Sequence, residues 1–310
     1  MEEKIEIMEL LHNKQLLEHE LQSLSYGAVE IRESDSNKYI YVHYREDGIS
    51  LTKYVGEYSD ELYNLILNNS IKAKELKKHI RDINKKLKQL NYIETELSSK
   101  VEQNIDFAKR HLVDTIYNQA ILEGVATTFA DTESIIEGGK VNNMTSEDIL
   151  KIINLKHAWE FILNKNVILS DTNFSLLCEI NKMIEEGFYY SAGKVRTVPV
   201  TIGGTKWKPE LPIESIIKEE LETILNKDID DIDKSIELLL YIMKKQIFID
   251  GNKRTSIIFC NHYLISKGKG IIVIPADLTE KFKDLLILYY EGKDENTIKK
   301  FIKEMAYISL

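Results

Sequence analysis

Gln246-Ile247-Phe248-Ile249-Asp250-Gly251-Asn252-Lys253-Arg254, followed directly by Thr255-Ser256-Ile257-Ile258-Phe259-Cys260, puts a glycine-bearing polar loop at the mouth of an apolar helix. A helix leaves its first amides unpaired, and here they coincide with a carboxylate and a guanidinium, the chemistry of a phosphate and metal site. The same residues also suit an ordinary helix entry, with Asp250 or Asn252 as N-cap and Gly251 in the turn. Taken alone, the loop leaves both readings open.

Working outward, Ile257 to Ile265 is nearly all apolar and predicts a buried central helix, while Asp233-Lys234-Ser235 opens a helix that delivers the chain to Gln246. Ile271 to Pro275 reads as a short extended run, and residues 280–307 as two closing helices. Upstream, Thr145-Ser146-Glu147-Asp148 is an N-cap with an acidic first turn, and Gly124 closes a helical pattern ending at Asn118 to Glu123. Val198, Val200 and Ile202 alternate ahead of Gly203-Gly204, a hairpin signal.

The first hundred residues read differently. Residues 2–24 carry a helical apolar spacing, Lys38 to Tyr44 and Ile49 to Val55 read as two strands joined by the turn Arg45-Glu46-Asp47-Gly48, and residues 59–97 read as a charged helix crowded with lysines. The expected division is therefore an N-terminal helix and β-hairpin module at residues 1–100, suited to partner recognition, and a second domain at 101–310. His43 and His157 lack a cluster of further ligands and read as surface or packing residues.

The 310 residues suffice for two domains with normal cores, given 43% hydrophobic content. Fifty acidic against 41 basic residues, net −9, argue against general nucleic-acid binding. No apolar stretch approaches the roughly 18 to 20 residues of a membrane span. Two distant cysteines, Cys178 and Cys260, in apolar helical surroundings predict free buried thiols, and with no basic and apolar leader after Met1 a cytoplasmic protein is expected.

The residue order at 246–254 resembles the signature loop of the Fic/Doc (Fido) family, His-x-Phe-x-Asp/Glu-Gly-Asn-Gly/Lys-Arg before a core helix. Phe248, Asp250, Gly251, Asn252 and Arg254 match, and Lys253 is a common variant. The catalytic histidine is replaced by Gln246, whose carboxamide cannot accept a proton near neutral pH, so the general base is missing. The resemblance, spanning about residues 105–307, implies a mainly α-helical Fido core with a β-hairpin flap.

It further implies transfer of AMP from ATP to a hydroxyl of a target protein, the chain itself included, with catalysis impaired at Gln246. Asp250 would hold Mg²⁺, the backbone from Gly251 to Lys253 would cradle phosphate, and Asn252 and Arg254 would contact its oxygens. Ala192-Gly193-Lys194-Val195-Arg196 resembles the family's Ala-Gly-x-Tyr/Phe-Arg motif, and Val198, Val200 and Ile202 would form the flap that docks the target by strand addition. Glu123-Gly124 resembles the end of the inhibitory motif, with Gln119 at its Ser/Thr position. In the family that glutamate pairs with a second arginine, where this chain has Ile257, so regulation by Glu123 is not expected to be strong. Two alternatives stay open: a kinase-like transfer, suggested by Lys253, and a nucleotide-binding pseudoenzyme that acts by partner binding. The target and self-association into a homo-oligomer are not fixed by the sequence.

Overall fold

The structure is a computed structural model that describes residues 2–34, 37–46, 49–90, 92, 97–142 and 144–310. Its contacts divide the chain into two compact units, Met1–Ile93 and Glu94–Leu310.

The first unit runs α1 (Glu2–Ser23), β1 (Ala28–Ser34), β2 (Asn37–Glu46), β3 (Ile49–Glu57) and α2 (Asp60–Gln89). The strands form an antiparallel sheet in the order β1-β2-β3, one strand more than the expected hairpin. Ile40 and Val42 bury one face of β2 against Ile66 of α2, and the alternation that buries them turns Tyr39 and Tyr41 outward beside Tyr54. Gly27 opens β1 because a Cβ there would stand 2.4 Å from the His43 carbonyl oxygen. Ser59 caps α2 by accepting from the Leu62 amide, which starts the helix where the acidic pair Asp60 and Glu61 favours it. His43 lies exposed, bonded to Glu30 and Thr52. Asp47 and Gly48 of the expected turn lie outside the described residues.

The second unit contains α3 (Ser99–Arg110), α4 (Leu112–Leu122), α5 (Phe129–Ile136), α6 (Ser146–Ile162), α7 (Lys165–Ile168), α8 (Phe174–Ile184), α9 (Glu214–Leu225), α10 (Asp231–Lys245) and α11 (Asn252–Ser266). It closes with β4 (Ile271–Ile272), α12 (Thr279–Tyr290), α13 (Asn296–Phe301) and β5 (Tyr307–Ile308), which pairs antiparallel with β4. α11 is apolar on all sides and is accordingly buried from Arg254 to Ile265, with α10, α8 and α6 packed around it. Two polar residues deep in its interior are fully paired. Asn261 donates to the carbonyls of Ile257 and Ile272 and accepts from the Ile272 amide, while His262 bridges Thr172 and the Val167 carbonyl.

One expected element takes another form. Residues 197–208 run as an irregular loop reversing at Gly203–Gly204, not as two paired strands at Val198, Val200 and Ile202. Pro199 cannot donate to a ladder, and Arg196 holds the arms instead, from Nη1 to the Val198 carbonyl and from Nη2 to the Glu210 carbonyl. Cys260 is buried and Cys178 only partly so; both are free. No helix among the described residues is long and apolar enough to cross a membrane.

Candidate active site

The loop between α10 and α11 is built from its ends inward. Gln246 terminates α10 in the left-handed region at φ 49°, and no other non-glycine among the described residues has a positive φ. Its side chain is engaged on both atoms: Nε2 donates to the Met243 carbonyl at 2.7 Å and Oε1 accepts from Asn252 Nδ2 at 3.2 Å. Asn252 in turn donates to the Phe248 carbonyl and accepts from the Phe248 amide, both at 2.9 Å. The Asn252 carboxamide is therefore the clasp of the loop, a role beside the phosphate contact that the resemblance implies for it. Phe248, almost fully buried, anchors the clasped turn in the core.

Gly251 is required twice over. Its φ is 73°, and a Cβ there would lie 2.3 Å from Glu185 Oε1 and 3.1 Å from Asn181 Nδ2. It, and neither Asp250 nor Asn252, is the N-cap of α11. The first backbone bond into the helix is Thr255 N to the Gly251 carbonyl, so the amides of residues 252–254 precede the ladder and stand available to an anion. Asp250 accepts from the Gly251 amide at 2.7 Å and keeps a side chain 53% exposed.

Arg254 is the centre of charge. Its Nη2 lies 2.8 Å from Glu185 Oε1 and 3.9 Å from Asp250 Oδ1, and its Nε lies 3.5 Å from Glu123 Oε2. Lys253 Nζ is 3.2 Å from Glu123 Oε1. These are ion pairs of poor hydrogen-bond geometry: Arg254 Nε and Nη1, Glu185 Oε1 and Glu123 Oε1 are buried without a hydrogen-bond partner. Buried polar atoms are normally satisfied, so a cluster of unsatisfied ones marks a place where another molecule belongs.

Of the three carboxylates, the sequence reading named Asp250 and Glu123 and missed Glu185. Glu123 was expected to lack a partner because Ile257 replaces the family's second arginine, yet it finds Lys253 and Arg254. The cause is Gln119, which accepts from Trp159 Nε1 at 3.0 Å and donates to the Arg254 carbonyl at 2.9 Å, docking the end of α4 on the start of α11. Glu185 was not singled out at all. Asn154 of α6 donates to the carbonyls of Ile184 and Glu186, and Asn181 donates to the Asp250 carbonyl and to Thr255, so the end of α8 is fastened against the loop with Glu185 1% exposed. Burial pushes its carboxyl up to about 7; Arg254 opposes that rise while the charges of Asp250 and Glu123 add to it.

The Ala192 to Arg196 motif joins this loop to the flap segment. Gly193 N donates to Asn181 Oδ1, and Arg196 pairs its amide with the Ile247 carbonyl at 3.0 Å and its Nε with the Gln246 carbonyl at 2.6 Å. Tyr290 of α12 meets the Gln246 side chain from the other side and carries Trp207 stacked 5.5 Å away.

The residues present fit a magnesium nucleotide. No group of three or more His, Cys, Asp or Glu side chains able to hold a metal lies among the described residues, but Mg²⁺ bound with a nucleotide needs only one or two carboxylate oxygens, its other ligands being phosphate and water. Asp250, exposed beside the helix mouth, would be such a ligand, and Arg254 with its unsatisfied Nε and Nη1 would serve as an anion donor.

Comparison with known proteins bears on the fold. Residues 171–264 match the family model described as Fic/DOC family. The fold is similar to Fic-1 (residues 134–508) from C. elegans, at 16% identity and TM-score 0.53 over 78% of this chain and 79% of that one. It is also similar to a Fic-domain signaling protein from Bacteroides thetaiotaomicron, at 18% identity and TM-score 0.55 over 67% and 86% of the two chains. A Fic family protein from Desulfovibrio desulfuricans G20 gives 13% identity and TM-score 0.52 over 68% and 73%. No curated protein matches the chain. The mainly helical architecture is the Fic fold, and the stretch that matches the Fic/DOC family model contains α8, the loop after Arg196, the clasped loop and most of α11.

Proposed function

We propose that the chain is a Fic-type nucleotidyltransferase that binds ATP with Mg²⁺ at residues 250–254 and transfers AMP to a protein hydroxyl, with a rate held down by Gln246. The observation that carries this is a buried guanidinium with unsatisfied donors at the mouth of α11, set one loop away from a residue with no basic atom.

In that reaction a target hydroxyl oxygen bonds to the α-phosphorus, the bond to the β-phosphate breaks, pyrophosphate leaves and the hydroxyl proton must be taken up. The α11 amides and Arg254 hold phosphate oxygens, and preorganised donors of this kind favour the charge that develops in transfer. Asp250 holds the metal, which when bound offsets phosphate charge. Gln246 cannot take the proton, and losing a general base costs about 10²- to 10⁴-fold in rate. The loop 197–210, tied by Arg196, is the candidate dock for the target segment, which would add to it as an extended strand. The N-terminal unit, with Tyr39, Tyr41 and Tyr54 on its outward sheet face, is the candidate for target selection.

Incubation with α- or γ-labelled ATP separates the readings. Label from the α position on protein supports AMP transfer. Label from the γ position alone supports the kinase-like reading that Lys253 suggested. Binding of MgATP without either supports the partner-binding pseudoenzyme.

A further inference from the structure

Resting on the nucleotide reading, one feature goes beyond it. The anion site holds more negative than positive side-chain charge: Glu123, Glu185 and Asp250 surround Arg254 and Lys253. The three carboxylates differ in freedom. Asp250 is exposed and available to a metal. Glu123 is the C-cap of α4, followed by Gly124 at φ 79°, and is reached from solvent at 13% exposure. Glu185 is sealed in, with Asn154 pinning the carbonyls on either side of it and Gly251 closing over it.

We propose that Glu185 is the positioning residue of the phosphate-binding arginine: it holds Arg254 Nη2 from the protein interior and competes with the nucleotide's phosphate for that guanidinium. Glu185 occupies Nη2 and Glu123 faces Nε, so only Nη1 stands clear of a carboxylate partner. A phosphate arriving at Arg254 meets a fixed carboxylate already there. Two like charges about 6 Å apart at an effective dielectric constant near 20 repel enough to change an affinity roughly 100-fold. Glu123 can turn to solvent and relieve its share; Glu185 has no exit.

The test is calorimetric titration of the full chain at about pH 8.5, where the raised Glu185 carboxyl is ionised, with MgATP and, separately, with inorganic pyrophosphate, which probes the anion site without adenosine. Glu185→Gln keeps the shape and removes the charge, and should tighten both ligands about 10- to 100-fold. Glu185→Met, an apolar side chain of similar length, provides a second charge-free variant should the glutamine one fold poorly. Glu123→Gln should tighten them only a few-fold, since its partly exposed carboxylate lies farther from the guanidinium than that of Glu185 and is better screened. In an Arg254→Gln background the Glu185 substitution should tighten them by clearly less than in the parent, because the competition for the guanidinium is gone and only like-charge repulsion remains, a non-additivity that a merely structural role would not produce. A parent that binds MgATP, with charge-free variants that bind it no tighter, overturns the inference and leaves the nucleotide reading standing. Tighter pyrophosphate without any MgATP binding supports the inference and sinks the nucleotide reading. Neither MgATP nor pyrophosphate bound by the parent or any variant sinks both.

Discussion

The two ends of the clasped loop make opposite use of their polar groups. At the Gln246 end, the carboxamides of Gln246 and Asn252 are paired within a few residues, and no proton acceptor of suitable basicity is present. At the Arg254 end, a guanidinium and two carboxylates lie buried in ion pairs that leave several of their atoms without hydrogen bonds. A satisfied network rigidifies, whereas an unsatisfied one is poised to exchange partners. The contrast teaches that the Gln246 half of the loop spends its polar groups on holding its own shape, while the Arg254 half keeps polar atoms free to meet a ligand.

The sharpest way to break that contrast is Gln246→His. An imidazole there can donate to the Met243 carbonyl as the carboxamide does and present its other nitrogen as a base. AMP transfer, read by intact mass after incubation with MgATP, should rise by about 10²- to 10⁴-fold. A parent already as active as the variant would show that another group carries the proton.

Gly251→Ala tests whether the loop's shape is as fixed as its clasp. A residue forced to hold φ 73° while its methyl meets Glu185 should cost roughly 2–3 kcal/mol of stability. Denaturant unfolding checks this, and an unchanged midpoint would mean the loop relaxes freely.

A third prediction extends the comparison to the core of α11. His262 is fully buried, with Nε2 donating to the Val167 carbonyl, and burial depresses its pKa from 6.5 to about 4. The folded chain keeps it neutral while the unfolded chain protonates it below pH 6.5, so stability is present at neutral pH and falls as pH drops from 6.5 towards 4. Between pH 7 and 5 the loss should be roughly 2 kcal/mol. His262→Asn should flatten that part of the pH profile.

The smallest effect is expected from Glu123→Gly. Because Glu123 meets Lys253 and Arg254, its removal should raise AMP transfer or MgATP affinity a few-fold, more than the absent second arginine at position 257 had led one to expect. Label-transfer assays on parent and variant check this, and no change would return Glu123 to a packing role.

What the sequence made legible was local and contiguous. The helix from Asn252, its burial and the loop before it follow from a nine-residue order and an apolar run. The flap misled because Val198, Val200 and Ile202 alternate as a strand does, while the force that shapes the segment is a guanidinium at Arg196 bonding carbonyls 2 and 14 residues away. β1 was missed because its apolar alternation is short and broken by Glu30 and Arg32, which pair on the exposed face. Glu185 was hidden for a different reason. Adjacent glutamates at 185 and 186 read as a solvated helix end, and only Asn154, on another helix, makes one of them interior.

Arg196 bonds four separated backbone points: Ile247 through its amide, and Gln246, Val198 and Glu210 through its side chain. A polypeptide laid along 197–210 is thereby measured from the same origin as residue 246, like a rule screwed to the bench on which the work is clamped. On the proposed reading, which hydroxyl of a seated segment faces the 246 side chain is a matter of register, counted in residues from a fixed mark. A one-residue insertion between Arg196 and Gly203 would then shift the modified position along the target instead of merely weakening its grip.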